Sequence, residues 1–181
     1  MSGHNWRVPP SPESLNAVYL GWDGYHVSLV KAIEDLTDEQ LAYRSHPEMR
    51  SVGELALHIS DGRVDWFRRL QAPCSAELWE MIQNRTIAPA TGPELAAWLD
   101  KTWQMVAATL DQWTVHDLPT GFHHTYQGMT FNVSRQWVIW RIMTHDVHHG
   151  GQLSELLGAQ GIFPGELTWL GGHLTEPEVV E

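Results

Sequence analysis

The sequence contains a single cysteine, Cys74, so no disulfide can form within the chain. Basic residues are also scarce: 11 Lys and Arg stand against 22 Asp and Glu, a net charge of −11. Nucleic-acid binding depends on clustered basic side chains, so this balance argues against it. No apolar run approaches the roughly 18 residues of a membrane span, and no secretory signal is visible. These shortages favour a cytoplasmic protein that contacts neither nucleic acid nor membrane.

Common catalytic motifs are missing as well. The sequence has no G-x-S-x-G element and no glycine-rich phosphate loop. Cys74 lies in a link that contains Pro73, with no histidine near it in sequence, which argues against a Cys–His nucleophile. Histidine is abundant, with 11 copies in 181 residues. The histidines are therefore the leading candidates for a functional site.

Helical periodicity dominates the chain. Apolar residues recur at helix-like spacing in four long segments, 12–35, 52–70, 92–113 and 135–159. Capping residues precede these segments at Ser11, Ser51, Thr91 and Ser134. Shorter helical turns are expected at 37–41 and 76–83, and a small hairpin at 122–126 and 129–133.

These elements predict one all-α domain, 1–181, with a four-helix-bundle core of about 12–160. The C-terminal tail, 161–181, is expected to dock Trp169 and Leu170 onto the bundle. The lengths of the links do not distinguish an up-down-up-down bundle from one with a crossover.

The last long helix carries His145 and His149 four residues apart. This spacing places both imidazoles on one face, one turn apart. The same face carries four apolar residues, Val138, Ile142, Leu153 and Leu156. A histidine that points into an apolar interior must satisfy two ring nitrogens, either through a metal ion or through caps, stacking and hydrogen bonds in the core.

His58 is the candidate for a third ligand, at the border of the apolar face of the second long helix. Glu54, Asp61 and Asp65 flank it and are all candidates to accept a hydrogen bond from its second nitrogen. Three neutral imidazoles would leave a divalent ion its charge and an open coordination position, which is typical of catalytic rather than structural sites.

The neighbouring residues have supporting interpretations. His148 falls on a more polar strip than His149 and is expected behind the site or at the surface. Asp146 could orient a ligand or bridge to a neighbouring helix, and Gln152 could contact a group bound to the metal. The pair Gly150–Gly151 fits close helix contact better than room for a substrate. The remaining histidines are expected at the surface or in loops, with His123 and His124 able to reach over the site: His4, His26, His46, His116, His123, His124 and His173.

Three segments resemble the DinB-like (YfiT-like) superfamily of helical metalloproteins. LTDEQLAYRSHPEMRSVGELALHIS (36–60) resembles the join of its first two helices, ending at a metal-binding histidine. TGPELAAWLDKTWQMVAATL (91–110) resembles its third helix, and WVIWRIMTHDVHHGGQL (137–153) its two-histidine motif. Arg141 and Thr144 stand where similar sequences often have histidine and an acidic residue.

The resemblance implies an antiparallel DinB-like four-helix bundle, often a homodimer, with a small hairpin or loop before the last long helix. It also implies a divalent metal ion (Zn, Ni, Fe or Mn) on His58, His145 and His149. Family members include thiol-dependent S-transferases and a mycothiol-dependent maleylpyruvate isomerase. We therefore expect a metal-dependent S-transferase that takes a small-molecule substrate and a low-molecular-weight thiol, with Gln152 and Glu54 as possible helpers. The alternatives are a metal-dependent hydrolase and a non-catalytic bundle that binds metal or small molecules.

Overall fold

The computed structural model describes residues 13–85 and 91–168. Eight α-helices and one two-stranded sheet make up these residues. In chain order they are α1 (Leu15–Val18), α2 (Leu20–Ile33), α3 (Asp38–Ala42), α4 (Val52–Arg68), α5 (Ser75–Gln83), α6 (Gly92–Gln112), β1 (Gly121–Tyr126), β2 (Met129–Ser134), α7 (Arg135–Gly158) and α8 (Gly165–Thr168).

The predicted helix starts are confirmed where the structure describes them. Ser51 and Thr91 each accept a hydrogen bond from the backbone of a glutamate three residues later, and that glutamate caps back, so α4 and α6 begin with complete capping boxes. Ser134 caps α7 through the N–H of Trp137. The predicted cap at Ser11 and the predicted docking of Trp169 and Leu170 lie outside the described residues.

The prediction of one continuous first helix was wrong. Tyr19, with φ −105° and ψ 27°, separates α1 from α2. Leu15 is buried, and its N–H donates to the carbonyl of Trp113 at 2.8 Å. This contact ties the first turn to the end of α6, and Tyr19 takes up the change in chain direction.

The long helices α2, α4, α6 and α7 form a bundle with one long crossover. His26 on α2 meets Asp100 on α6, and Trp22 meets Trp103, so these two helices run antiparallel. His58 meets His145 and Trp66 meets Trp137, so α4 and α7 are also antiparallel. Gly53 of α4 lies beside Leu95 of α6, and Arg63, later in α4, donates to the carbonyl of Leu99, later in α6, so these two helices run parallel. The topology is therefore up-down-down-up. The antiparallel arrangement implied by the resemblance holds for the pairs α2–α6 and α4–α7.

The core has two apolar parts. One contains the start of α2 and α7 and the ends of α4 and α6; its members include Trp22, Phe67, Leu110, Val138 and Ile142. The other contains the opposite helix ends, including Leu29, Ile33, Ile59, Leu99 and Leu153. Polar side chains lie buried between them, near the level of the three histidines. Of the helices described, none is both long and apolar enough to cross a membrane.

The hairpin precedes α7 as predicted. β1 and β2 pair in antiparallel register, with Phe122 opposite Val133 and Tyr126 opposite Met129. Gln127 and Gly128 form the turn, both with positive φ. Gly128 suits this position because it has no β-carbon to clash in the left-handed region.

Candidate metal centre

The two helices α4 and α7 bring three histidines to one point. One ring nitrogen from each of His58, His145 and His149 lies within 4.8 Å of the others. The ring centroids are 4.4 to 4.8 Å apart, and Nε2 of His58 lies 3.2 Å from Nε2 of His145. The three residues that spacing and resemblance selected are therefore neighbours in the fold.

The second nitrogens of the two α7 histidines face side chains of the same helix. Nδ1 of His149 lies 2.7 Å from Oε1 of Gln152. Nδ1 of His145 lies 3.7 Å from Oδ1 of Asp146, and both atoms are buried without a closer hydrogen-bond partner among the described residues. The hydrogen bond to the Gln152 carbonyl selects the His149 tautomer that leaves Nε2 free for a ligand.

The acidic residues beside His58 are engaged elsewhere. Glu54 caps α4 and pairs with Arg44 at 3.1 Å, and Asp65 pairs with Arg69. Asp61 accepts from Arg85 at 2.9 Å and from the indole of Trp98 at 2.9 Å. Within the described residues, none of these three carboxylates bonds to His58.

A buried ion pair supports the α7 side of the site. Arg63 of α4 reaches Oδ2 of Asp146 through Nε at 2.9 Å, and the indole of Trp22 donates to the same oxygen at 2.9 Å. Arg63 also contacts His26 and the carbonyl of Leu99. Both charged side chains are fully buried. The network links four helices directly behind His145.

The surroundings keep these groups in the required charge states. Burial, reinforced by the positive charge of Arg50, lowers the pKa of His58 to about 4, and burial also lowers the pKa of His149. Burial alone would raise the pKa of the Asp146 carboxyl, but Arg63 and its hydrogen bonds bring it below the ordinary value. Near neutral pH His58 and His149 are therefore uncharged and Asp146 is ionised.

This donor set fits a metal ion. Tetrahedral coordination with bonds of about 2.05 Å would place pairs of nitrogens about 3.3 Å apart. The 3.2 Å separation of His58 and His145 already matches this value, and the widest pair would have to close by about 1.5 Å.

Two cavities open beside the histidines. One of about 1070 Å³ reaches His149 and Gln152, and one of about 490 Å³ reaches His58. The connection between α3 and α4 borders both of them through Glu48, Met49 and Arg50. Within the described residues, the Arg50 guanidinium forms no hydrogen bond or ion pair.

The sequence model of the DinB superfamily matches residues 26–153, which include all three histidines. The chain belongs to the DinB superfamily. Its fold resembles a DinB-like protein from Bacillus cereus, with a TM-score of 0.59 and 19% identity over 83% of this chain and 95% of that one. A DinB-like protein from Bacillus subtilis aligns with a TM-score of 0.56 and 17% identity over 81% of this chain and 91% of that one. No curated protein matches the sequence.

Two glycines make room in this DinB-superfamily site. A β-carbon on Gly62 of α4 would lie 2.8 Å from Cε1 of His145, and one on Gly150 would collide with the hydroxyl of Tyr25. Gly151 has open space around it and lines the larger cavity. Gly150 therefore serves close helix contact, as expected, whereas Gly151 leaves room beside the histidines.

Other described histidines of the DinB-superfamily chain are not part of the three-histidine cluster. His148 is exposed, with its ring 4.9 Å from that of His149. His123 is exposed on β1, and His124 packs on Trp66 and binds Arg69 at 3.2 Å. Neither hairpin histidine joins the three-histidine cluster.

His26 corrects the prediction of a surface or loop position. It is only 2% exposed and stacks on Trp103, because Arg63 and Asp100 satisfy its two ring nitrogens in the core. His46 and His116 are exposed as predicted, and His4 and His173 lie outside the described residues.

Sequence reasoning missed Arg63 and Arg50. Arg63 lies on the apolar face of α4, four residues after Ile59, and Asp146 is a lone acid among apolar residues of α7. Two opposite charges on two buried faces were a usable signal of a buried pair. Arg50 lies in a connection without periodicity, so no pattern in the sequence identified it.

Proposed function

We propose that His58, His145 and His149 hold one divalent metal ion and that the protein is a metal-dependent enzyme. The observation that carries this proposal is the convergence of three imidazoles, two of them backed by Asp146 and Gln152. Imidazole ligands suit Zn, Ni and Fe, and Mn is the further candidate. Such an ion lowers the pKa of a thiol or water molecule bound to it.

The residues of the chain would prepare the site for an anionic group. Gln152 would hold the His149 imidazole in orientation, and Asp146, kept ionised by Arg63, faces Nδ1 of His145. Arg50 is a cation at the mouth of both cavities and has no ion pair among the described residues. It would attract a thiolate or carboxylate and hold it beside the histidines.

Among the candidate reactions, we rank transfer of a low-molecular-weight thiol onto a small electrophilic substrate first. The larger cavity has room for both molecules, and Leu55 and Leu156 give it apolar walls that limit water. Glu54 would help only indirectly, because it fixes the start of α4 and binds Arg44. We expect a cytoplasmic protein, where thiols are abundant, and a homodimer.

Metal-dependent hydrolysis is the second candidate. Glu48 lies in the same connection as Arg50 and lines both cavities. A carboxylate beside an activated water can act as a general base. A third candidate is a bundle that binds metal or small molecules without catalysis.

A reactivity panel would separate these candidates. The metal-loaded protein is incubated with low-molecular-weight thiols and electrophiles, and loss of thiol and product mass are measured. We expect thiol transfer with at least one pair, abolished by chelation and by Arg50→Gln at low substrate concentration. Hydrolysis of activated esters without any thiol transfer would replace the first candidate by the second. Full metal occupancy with neither activity would support the non-catalytic bundle and contradict an enzyme.

A further inference from the structure

A separate cavity of about 690 Å³ lies between the hairpin and the helices α4 and α7. This volume is within the range of small-molecule sites, about 300–1,000 Å³. Its walls include Trp66 of α4, Trp137 of α7, and Tyr126 and Phe131 of the hairpin. None of the three histidines lines it.

The walls expose an unusual amount of aromatic surface. Tyr126 is 59% exposed, Phe131 43% and Trp137 40%. The rings of Trp66 and Trp137 form the base of the cavity, with centroids 5.1 Å apart. Exposed aromatic side chains gathered around a concavity are typical of a binding site, because an aromatic guest can pack against their faces and edges.

The cavity also contains one uncommitted cation. Arg69, which lies 5.1 Å from the ring of Trp66, is occupied by Asp65 at 3.1 Å and by His124 at 3.2 Å. Arg141 lines the cavity, and its guanidinium forms no hydrogen bond or ion pair with any described residue. A free guanidinium in a chain of net charge −11 is a specific place for an anion, and its planar shape matches a carboxylate.

The cavity is aligned with the histidine site. Trp137, Arg141 and His145 follow one another at four-residue intervals on α7, so each lies about 6 Å along the same face from the next. On α4, Gly62 contacts His145 and Trp66 contacts Trp137, so both helices border the same groove. A molecule held at Trp137 and Arg141 would extend towards the histidines.

We propose that this cavity binds an aromatic carboxylic acid, with the ring between Trp137 and the hairpin and the carboxylate on Arg141. We assign such acids as the substrate class of the neighbouring histidine site, and this assignment rests on the proposed function. Binding itself requires no metal ion, because no histidine of the cluster lines the cavity.

Calorimetric titration of the full-length protein with 2-naphthoate and with 2-naphthamide tests the proposal. The amide has the same ring without the charge. In metal-free protein we expect naphthoate to bind, and Arg141→Gln to weaken it at least tenfold while leaving the weaker binding of the amide unchanged. Phe131→Ala should weaken both probes because it removes ring contact. Lys101→Gln is the matched control: it removes one exposed cation of α6 outside the cavity and should bind like the wild type.

Three results would overturn this assignment. They are the absence of naphthoate binding, equal affinity for naphthoate in the wild type and Arg141→Gln, and a dimer in sedimentation that Phe131→Asp dissociates. The last result would identify the cavity as a contact between two copies of the chain. If naphthoate does not bind but the protein holds its full complement of metal, the cavity proposal fails and the metal proposal stands. If naphthoate binds but the protein holds no metal, the cavity proposal stands and the metal proposal fails.

Discussion

Gly62 lies directly against the imidazole of His145. A β-carbon at Gly62 would stand 2.8 Å from Cε1 and 3.3 Å from Nε2 of that ring. To make room, the ring would have to shift, and that shift would move it from its place 3.2 Å from His58. We expect Gly62→Ala to lower metal affinity at least tenfold, measured by competition with a chromogenic chelator.

The matched control for this substitution is Gly53→Ala, in the first turn of α4. A β-carbon at Gly53 would meet its nearest atoms at 3.5 Å, which is ordinary contact. This variant should bind metal like the wild type. Equal affinities for all three proteins would mean that the position of the His145 ring does not govern binding.

The adjacent pair Gly150 and Gly151 should respond in opposite ways to alanine. At Gly150 the added methyl would collide with the hydroxyl of Tyr25, so we expect a loss of about 1–3 kcal/mol in the free energy of unfolding. At Gly151 the space is open, and alanine should stabilise the helix by up to about 1 kcal/mol. Urea denaturation measures both. Tyr25→Phe should partly rescue Gly150→Ala, and no rescue would argue against the assigned collision.

Removing one member of the buried pair Arg63–Asp146 should lower the free energy of unfolding strongly, whereas replacing both members with apolar residues should lower it much less. Asp146→Asn leaves the Arg63 charge uncompensated in the core and should destabilise by about 3–5 kcal/mol. The double variant Arg63→Met/Asp146→Leu should recover most of this loss, because neither charge remains buried. Asp65→Asn, in a half-buried pair at the end of the same helix, should change stability by about 1 kcal/mol or less, because that pair remains in contact with solvent. Additive losses in the double variant would contradict a coupled pair.

His26 should make stability depend on pH. Burial lowers its pKa to about 4 although the ring donates a hydrogen bond to Asp100, whereas the unfolded chain has the ordinary value of about 6.5. Between these values the unfolded state binds a proton that the folded state excludes. The contribution is therefore fully present above pH 6.5 and is lost as the pH falls towards 4, by an amount on the order of 3 kcal/mol.

Denaturation of the metal-free protein at several pH values measures this effect. His26→Gln should be less stable at pH 7.5, because Arg63 and Asp100 lose their partner, but its stability should fall less steeply below pH 6.5. The other histidines are the same in both proteins, so the difference in slope isolates His26. If the stability of both proteins falls equally steeply with pH, the core does not prevent protonation of His26.

The sequence predicted the long helices and the three-histidine cluster because both depend on local periodicity. Helix phase alone put His145 and His149 on one face, and His58 followed from its position on the border of another. The break at Tyr19 escaped prediction because it depends on the tertiary bond between Leu15 and Trp113. Loop lengths likewise could not distinguish the up-down-down-up topology.

The residues that surround the three histidines were harder to predict than the histidine cluster itself. The role of Asp146 was left open between orienting a ligand and bridging to another helix, and the structure shows it facing both His145 and Arg63. The sequence could not show which flanking carboxylate, if any, would bind His58. Each of these carboxylates can instead pair with an arginine elsewhere in the fold, and sequence order does not reveal that choice. Arg50 and the hairpin cavity arise from loop and strand placement, which periodicity does not encode.

Metal binding by the three histidines is tested most directly by metal content. The purified protein and its His58→Ala, His145→Ala and His149→Ala variants are analysed by inductively coupled plasma mass spectrometry, with circular dichroism to establish that each is folded. His148→Ala is the matched control, because His148 adjoins His149 in sequence but lies outside the cluster. We predict about one divalent ion per chain in the wild type and in His148→Ala, and at least a tenfold lower content in the other three. A wild type that holds no more metal than folded His149→Ala would contradict the metal centre.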